Sequence, residues 1–72
     1  MEFDYQEYHN RVRETLLDHP YIRQGQAMFN ILYEMYPELA EQIRGTDLDP
    51  FHFDDGVRIY HFWQWIAEQS NQ

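Results

Sequence analysis

Five side chains able to hold a cation or move a proton fall close together: Asp47, Asp49, His52, Asp54 and Asp55. Carboxylate oxygens suit hard divalent cations, and an imidazole suits transition metals. The calcium-loop pattern D-x-[DN]-x-[DN]-G-x₅-E offers a direct test. Started at Asp47, it places Phe51 at a ligand position, His52 at the glycine and Arg58 at the closing glutamate. The match fails at all three. The preferred reading is that these aspartates cap the following helix and form the first half of an Asp49-Pro50 turn. The sequence therefore predicts no metal site. A small metal- or ligand-binding role for Asp47–Asp55 is the lesser alternative.

No other constellation suggests catalysis. His9, His19, His52 and His61 include no pair at the i,i+4 spacing of a helical metal site. His19 precedes a proline and reads as a turn residue, and His61 reads as exposed on the last helix. There is no Cys or Lys, and the aliphatic hydroxyls are Thr15, Thr46 and Ser70. Paired carboxylates can do acid–base work. A helical domain this short, however, rarely encloses a ligand site of the usual volume, roughly 300 Å³ or more. The expectation is a non-enzyme without a cofactor.

Four further side chains call for an account. Asn30 is unfavourable inside a helix, and with Gln26 it lies one turn away among apolar neighbours. Either the two amides make a recognition contact, or they bond the Gly45–Asp49 backbone and fix that loop. The second reading is preferred, with Arg23 pairing to one loop aspartate. Trp65 lies off the apolar face of its helix, so it either anchors a partner or covers the edge of the core.

These residues must be positioned by helices. Tyr5, Tyr8, Val12 and Leu16 recur at spacings of 3, 4 and 4, predicting a helix over 3–17. Asp4 and Glu7 resemble a capping box, and Glu7 with Arg11 is a favourable i,i+4 pair. Asp18-His19-Pro20 ends the segment. The second helix, 22–36, carries Met28, Ile31, Leu32 and Met35 on one stripe. Phe29, Tyr33 and Tyr36 extend it round most of the circumference, which predicts a central helix. Gly25 in its first turns could admit another backbone closely. Pro37 opens a short third helix, 37–44, with Leu39, Ala40 and Ile43 inward and Gly45 as its left-handed terminator. Phe51 and Phe53 are expected to anchor the next loop. The last helix, 55–69, is capped by Asp54 or Asp55 and buries Ile59, Phe62, Trp63 and Ile66. Residues 57–66 are also rich in strand formers, but no other segment offers a strand partner.

The whole chain has 72 residues, 18% of them aromatic, so it is read as one all-α domain, 1–72: a compact bundle of about four short helices around an aromatic core. Thirteen carboxylates against five arginines leave a net charge of −8. Direct nucleic-acid binding needs a basic patch that is missing here, and anionic membranes are disfavoured for the same reason. No stretch is long and apolar enough for a transmembrane helix, and the acidic N-terminus lacks the features of a signal peptide. The expected location is the cytoplasm.

Arg23-x-Gly25-Gln26, Asn30, Pro37, Ile43, Gly45-Thr46, Asp49-Pro50-Phe51 and Phe62-Trp63 together form a pattern covering about 20–66. It resembles a widespread group of small, mostly uncharacterised bacterial and phage proteins. The resemblance implies a prokaryotic or phage origin and no transferable activity. It singles out Arg23, Gly25, Gln26, Asn30, Gly45, Thr46, Asp49, Pro50 and Phe51 as a junction between the second helix and the loop. This chain departs from the pattern at His52, where a tyrosine is expected.

The sequence thus points to an acidic protein–protein interaction module, an inhibitor or regulator that docks on a basic and even nucleic-acid-binding partner. Glu34, Glu38, Glu41, Asp47 and Trp65 are the expected contacts. A self-associating structural protein, in the simplest case a homodimer, is the alternative, because small chains often gain stability that way.

Overall fold

The computed structural model describes residues 2–51 and 56–70. Four helices follow in order: α1 (Tyr5–Asp18), α2 (Gln24–Met35), α3 (Pro37–Ile43) and α4 (Gly56–Ser70). No strand occurs among the described residues, and 57–66 is helical throughout. The protein is a small all-α bundle.

Local chemistry explains each boundary. The Asp4 carboxylate accepts from the Glu7 backbone N–H at 3.0 Å and starts α1. Arg11 and Glu7 form the expected ion pair at 2.9 Å. α1 begins two residues later than the apolar spacing suggested, because Phe3 leaves the helix and stacks on Tyr36 at 4.7 Å. α2 likewise starts at Gln24 rather than at 22. Pro20 and Tyr21 lie in a turn closed by the Ile22 N–H on the His19 carbonyl at 3.2 Å. Pro37 occupies the first turn of α3, where its missing N–H costs nothing. Gly45 ends that helix at φ +74, in the left-handed region. The expected cap of α4 at Asp54 or Asp55, and the anchoring role of Phe53, lie outside the described residues.

α2 is the central element, packing on both α1 and α3. Tyr8, Met28, Leu32, Ile43, Phe62 and Ile66 have almost no exposed surface. Each buried aliphatic side chain contributes roughly 1.5–3 kcal/mol of transfer free energy. α4 reaches this core through Phe62 and Ile66, with Ile59, Trp63 and Trp65 packed around them. Aromatic rings close the α1–α4 seam. Trp63 meets Tyr8 edge-on at 5.6 Å and stands 4.9 Å from the His9 ring. The surroundings of α2 are not uniform: Tyr33 is 44% exposed, and Asn30 and Glu34 beside it are also exposed.

Candidate functional site

The loop after α3 is held by a buried aspartate. One carboxylate oxygen of Asp49 accepts the Gly45 N–H at 2.8 Å, and the other accepts the Phe51 N–H at 2.9 Å. Thr46 completes the turn: its hydroxyl donates to the Ile43 carbonyl at 2.6 Å and accepts from the Leu48 N–H at 3.2 Å. Pro50 is fully buried beside Asp49. These bonds gather Gly45, Thr46, Asp49 and Phe51 into one turn. Phe51 meets Phe29 of α2 edge-on at 5.9 Å, which joins the loop to the central helix.

Asn30 does not take the part expected of it. It is exposed on the outer face of α2, and no hydrogen bond connects it or Gln26 to Gly45–Asp49. Asp49 fixes the loop from within because its two oxygens reach both ends of a turn only a few residues long. Gln26 is half-buried, Gly25 is buried in the first turn of α2, and Arg23 is the exposed residue preceding that helix.

Both Asp49 oxygens accept backbone N–H groups of this turn. Asp47 is exposed beside Val57, Arg58 and His61 in a shallow depression of about 280 Å³. Among the described residues no group of three or more His, Asp or Glu is placed to hold a metal ion. His52, Asp54 and Asp55 lie outside them.

Three of the five expected partner contacts, Glu38, Glu34 and Asp47, line three separate depressions. Glu34 lines a depression of about 290 Å³ between α1 and α2 with Glu14, Asp18 and Arg11. The hydrogen bond that Arg11 donates to Glu7, opposed by desolvation and reinforced by the fields of Glu7, Glu34 and Glu14, holds the Arg11 guanidinium above its ordinary pKa. Glu41 pairs with Arg44 at 3.3 Å. Arg44 in turn lies over the rings of Tyr33 at 5.2 Å and Phe29 at 5.9 Å. Trp65 is half-buried against the core, so it covers the core's edge.

Glu38 belongs to a groove of about 460 Å³, larger than the depressions around Glu34 and Asp47. Its floor is apolar: Leu39 is buried, and Met35 and Tyr36 are half-buried. Pro37, Glu38, Gln42 and Gln69 line the rest. Tyr36 is fixed in place, stacked on Phe3 and accepting the Asp4 N–H on its hydroxyl at 2.9 Å. Met35, Tyr36 and Leu39 read from the sequence as core stripe alone. Glu38 and Gln42, one turn apart on α3, were the available signal. Gln69 comes from α4 and had none.

No family model, curated protein or solved structure matches the chain.

Proposed function

We propose that this chain is a non-enzymatic interaction module that docks through acidic surface onto a basic protein partner. Its place of action is the cytoplasm of a bacterium or a phage-infected cell, in keeping with the resemblance to small bacterial and phage proteins. The observation that carries this reading is the charge: −8 with no lysine, and with Glu34, Glu38 and Asp47 exposed on three separate depressions. Among the described residues, local structure uses few of these carboxylates. Asp4 caps α1, Asp49 closes the loop, and Glu7 and Glu41 pair with arginines. The rest form a negative field that attracts basic surfaces and speeds encounter with them. A partner whose basic groove normally holds nucleic acid would be blocked by such a surface, which makes an inhibitor or regulator the preferred form of the hypothesis.

Affinity capture from a prokaryotic lysate, repeated at low and high salt, tests this. The expected partner carries a basic surface, and its retention falls steeply as salt rises through the range in which the screening length shrinks from about 10 Å to about 3 Å. Reversing charge in Glu34→Lys/Glu38→Lys should release it. Retention indifferent to salt and to charge reversal would sink the proposal.

Self-association is the second reading. It is favoured by Val57 and Tyr60, neighbours on α4 that are 63% and 59% exposed. Sedimentation velocity decides it: a monomer at high concentration rules it out.

A further inference from the structure

We infer that the groove between α3 and the end of α4 binds an extended basic peptide segment that presents one large aliphatic side chain. This rests on the reading of a basic protein partner and states how part of that partner is held.

The floor supplies the apolar requirement. Met35, Tyr36 and Leu39 border a volume of about 460 Å³, room for one aliphatic side chain and the backbone on either side of it. Methionine adapts its shape to different guests. Tyr36 does not need to be ordered on binding, since Phe3 and the Asp4 N–H already hold it. A wall ordered in advance lowers the entropic cost of association.

The rim supplies the backbone requirement. Gln42 and Gln69 each carry one carbonyl acceptor and two N–H donors, the complement of a peptide unit. Neither amide is hydrogen-bonded to another side chain or to backbone among the described residues. A helical ligand has already satisfied its own backbone groups and would leave these amides unused. An extended strand has free N–H and C=O groups to offer them.

Charge supplies the sequence preference. Glu38 lines the groove without an ion-pair partner among the described residues, whereas Glu41 of the same helix is paired with Arg44. Lysine or arginine flanking the aliphatic residue is therefore favoured, and an acidic segment is repelled. The same field disfavours a second copy of this chain, which brings its own −8.

The test uses the intact chain, isotopically labelled, with three capped tripeptides as probes: Lys-Leu-Lys, Lys-Gly-Lys and Glu-Leu-Glu. Lys-Leu-Lys should give saturable NMR shifts at the Met35 and Leu39 methyls and at the side-chain amides of Gln42 and Gln69. Gln42→Ala, an exposed substitution that leaves the core untouched, should weaken binding about five- to tenfold, the loss of about one hydrogen bond. Glu38→Gln should weaken it severalfold and flatten its salt dependence. Four results would overturn the inference. In one, Lys-Gly-Lys binds as well as Lys-Leu-Lys and its shifts spread to Glu34 and Asp47. That pattern leaves a basic partner in place but removes the groove. In another, Glu-Leu-Glu binds as well as Lys-Leu-Lys. In the third, dilution alone moves the Met35 and Leu39 signals, which assigns the groove to a second copy. In the last, no lysine peptide shifts any groove residue, and the salt-dependent capture then decides the broader reading separately.

Discussion

The phenolic hydroxyl of Tyr8 donates a 2.6 Å hydrogen bond to the backbone carbonyl of Met28, joining α1 to α2 inside the core. Tyr8 has no exposed surface, so this bond satisfies the polar end of an otherwise apolar contact. Tyr8→Phe keeps the ring and deletes the bond. The Met28 carbonyl lies within α2 and retains its helical environment. The expected loss is about 1–1.5 kcal/mol of stability. In a domain of this size that lowers the melting temperature by roughly 4–8 °C per kcal/mol. Thermal melts of the two proteins measure it. A Tyr8→Phe protein that melts with the wild type would show the bond contributes nothing.

The same burial makes stability fall at alkaline pH. Desolvation pushes the Tyr8 pKa far above its ordinary value, so the folded protein keeps this phenol neutral. The unfolded chain loses the proton near pH 10. The contribution of neutral Tyr8 is therefore fully present below pH 10. Above it, the contribution declines by about 1.4 kcal/mol per pH unit, because the folded state binds the extra proton. Urea unfolding between pH 8 and pH 11, for wild type and Tyr8→Phe, isolates this effect. The wild-type slope above pH 10 should be the steeper of the two, and parallel slopes would contradict the assignment.

Asp49 carries the loop, and its removal should loosen one region before it unfolds the whole. Asp49→Ala leaves the Gly45 and Phe51 N–H groups without their carboxylate acceptor. Hydrogen bonds to a charged group contribute about 1.5–3 kcal/mol each, so losing both should cost about 3 kcal/mol or more. Asp49→Asn keeps one acceptor oxygen and should cost about half as much. Amide exchange is the sharper readout. Gly45 and Phe51 should lose protection by a larger factor than the core amides of α2. Equal loss everywhere would mean the aspartate stabilises the fold globally rather than the turn.

Much of this was legible in the sequence where the signal is local. Asp4 with Glu7, Pro37 at a helix start and Gly45 at a helix end each act within one turn of their own position. Their chemistry is therefore readable without knowing the packing. The stripe Met28–Ile31–Leu32 also identified α2 as central. Asn30 was misread because apolar residues crowd so much of α2 that no polar residue there looks outward. The direction was settled by the packing of α2 on α1 and α3, which left Asn30 exposed. The groove at Glu38 was illegible for a related reason. It exists because the chain turns at Tyr36–Pro37 and α4 returns Gln69 to that corner, across a separation no local pattern encodes. The spread of the carboxylates over several depressions was hidden likewise, since net charge carries no information about placement.

Gly45 gives the test in which backbone conformation can be separated from packing. Its φ of +74 is one that side chains with a Cβ rarely adopt, and a Cβ built there meets nothing within 4 Å. Gly45→Ala therefore creates no clash with neighbouring residues, and its cost is conformational, about 1–2 kcal/mol. Asparagine visits the left-handed region more readily, so Gly45→Asn should be the milder change. Chemical denaturation should rank the three proteins glycine, asparagine, alanine in falling stability. Because Gly45 donates its N–H to Asp49, strain at this residue also acts on the loop. Combining Gly45→Ala with Asp49→Ala should then cost less than the sum of the two single losses, since both release the same turn. Strict additivity would show that the helix terminator and the loop act independently.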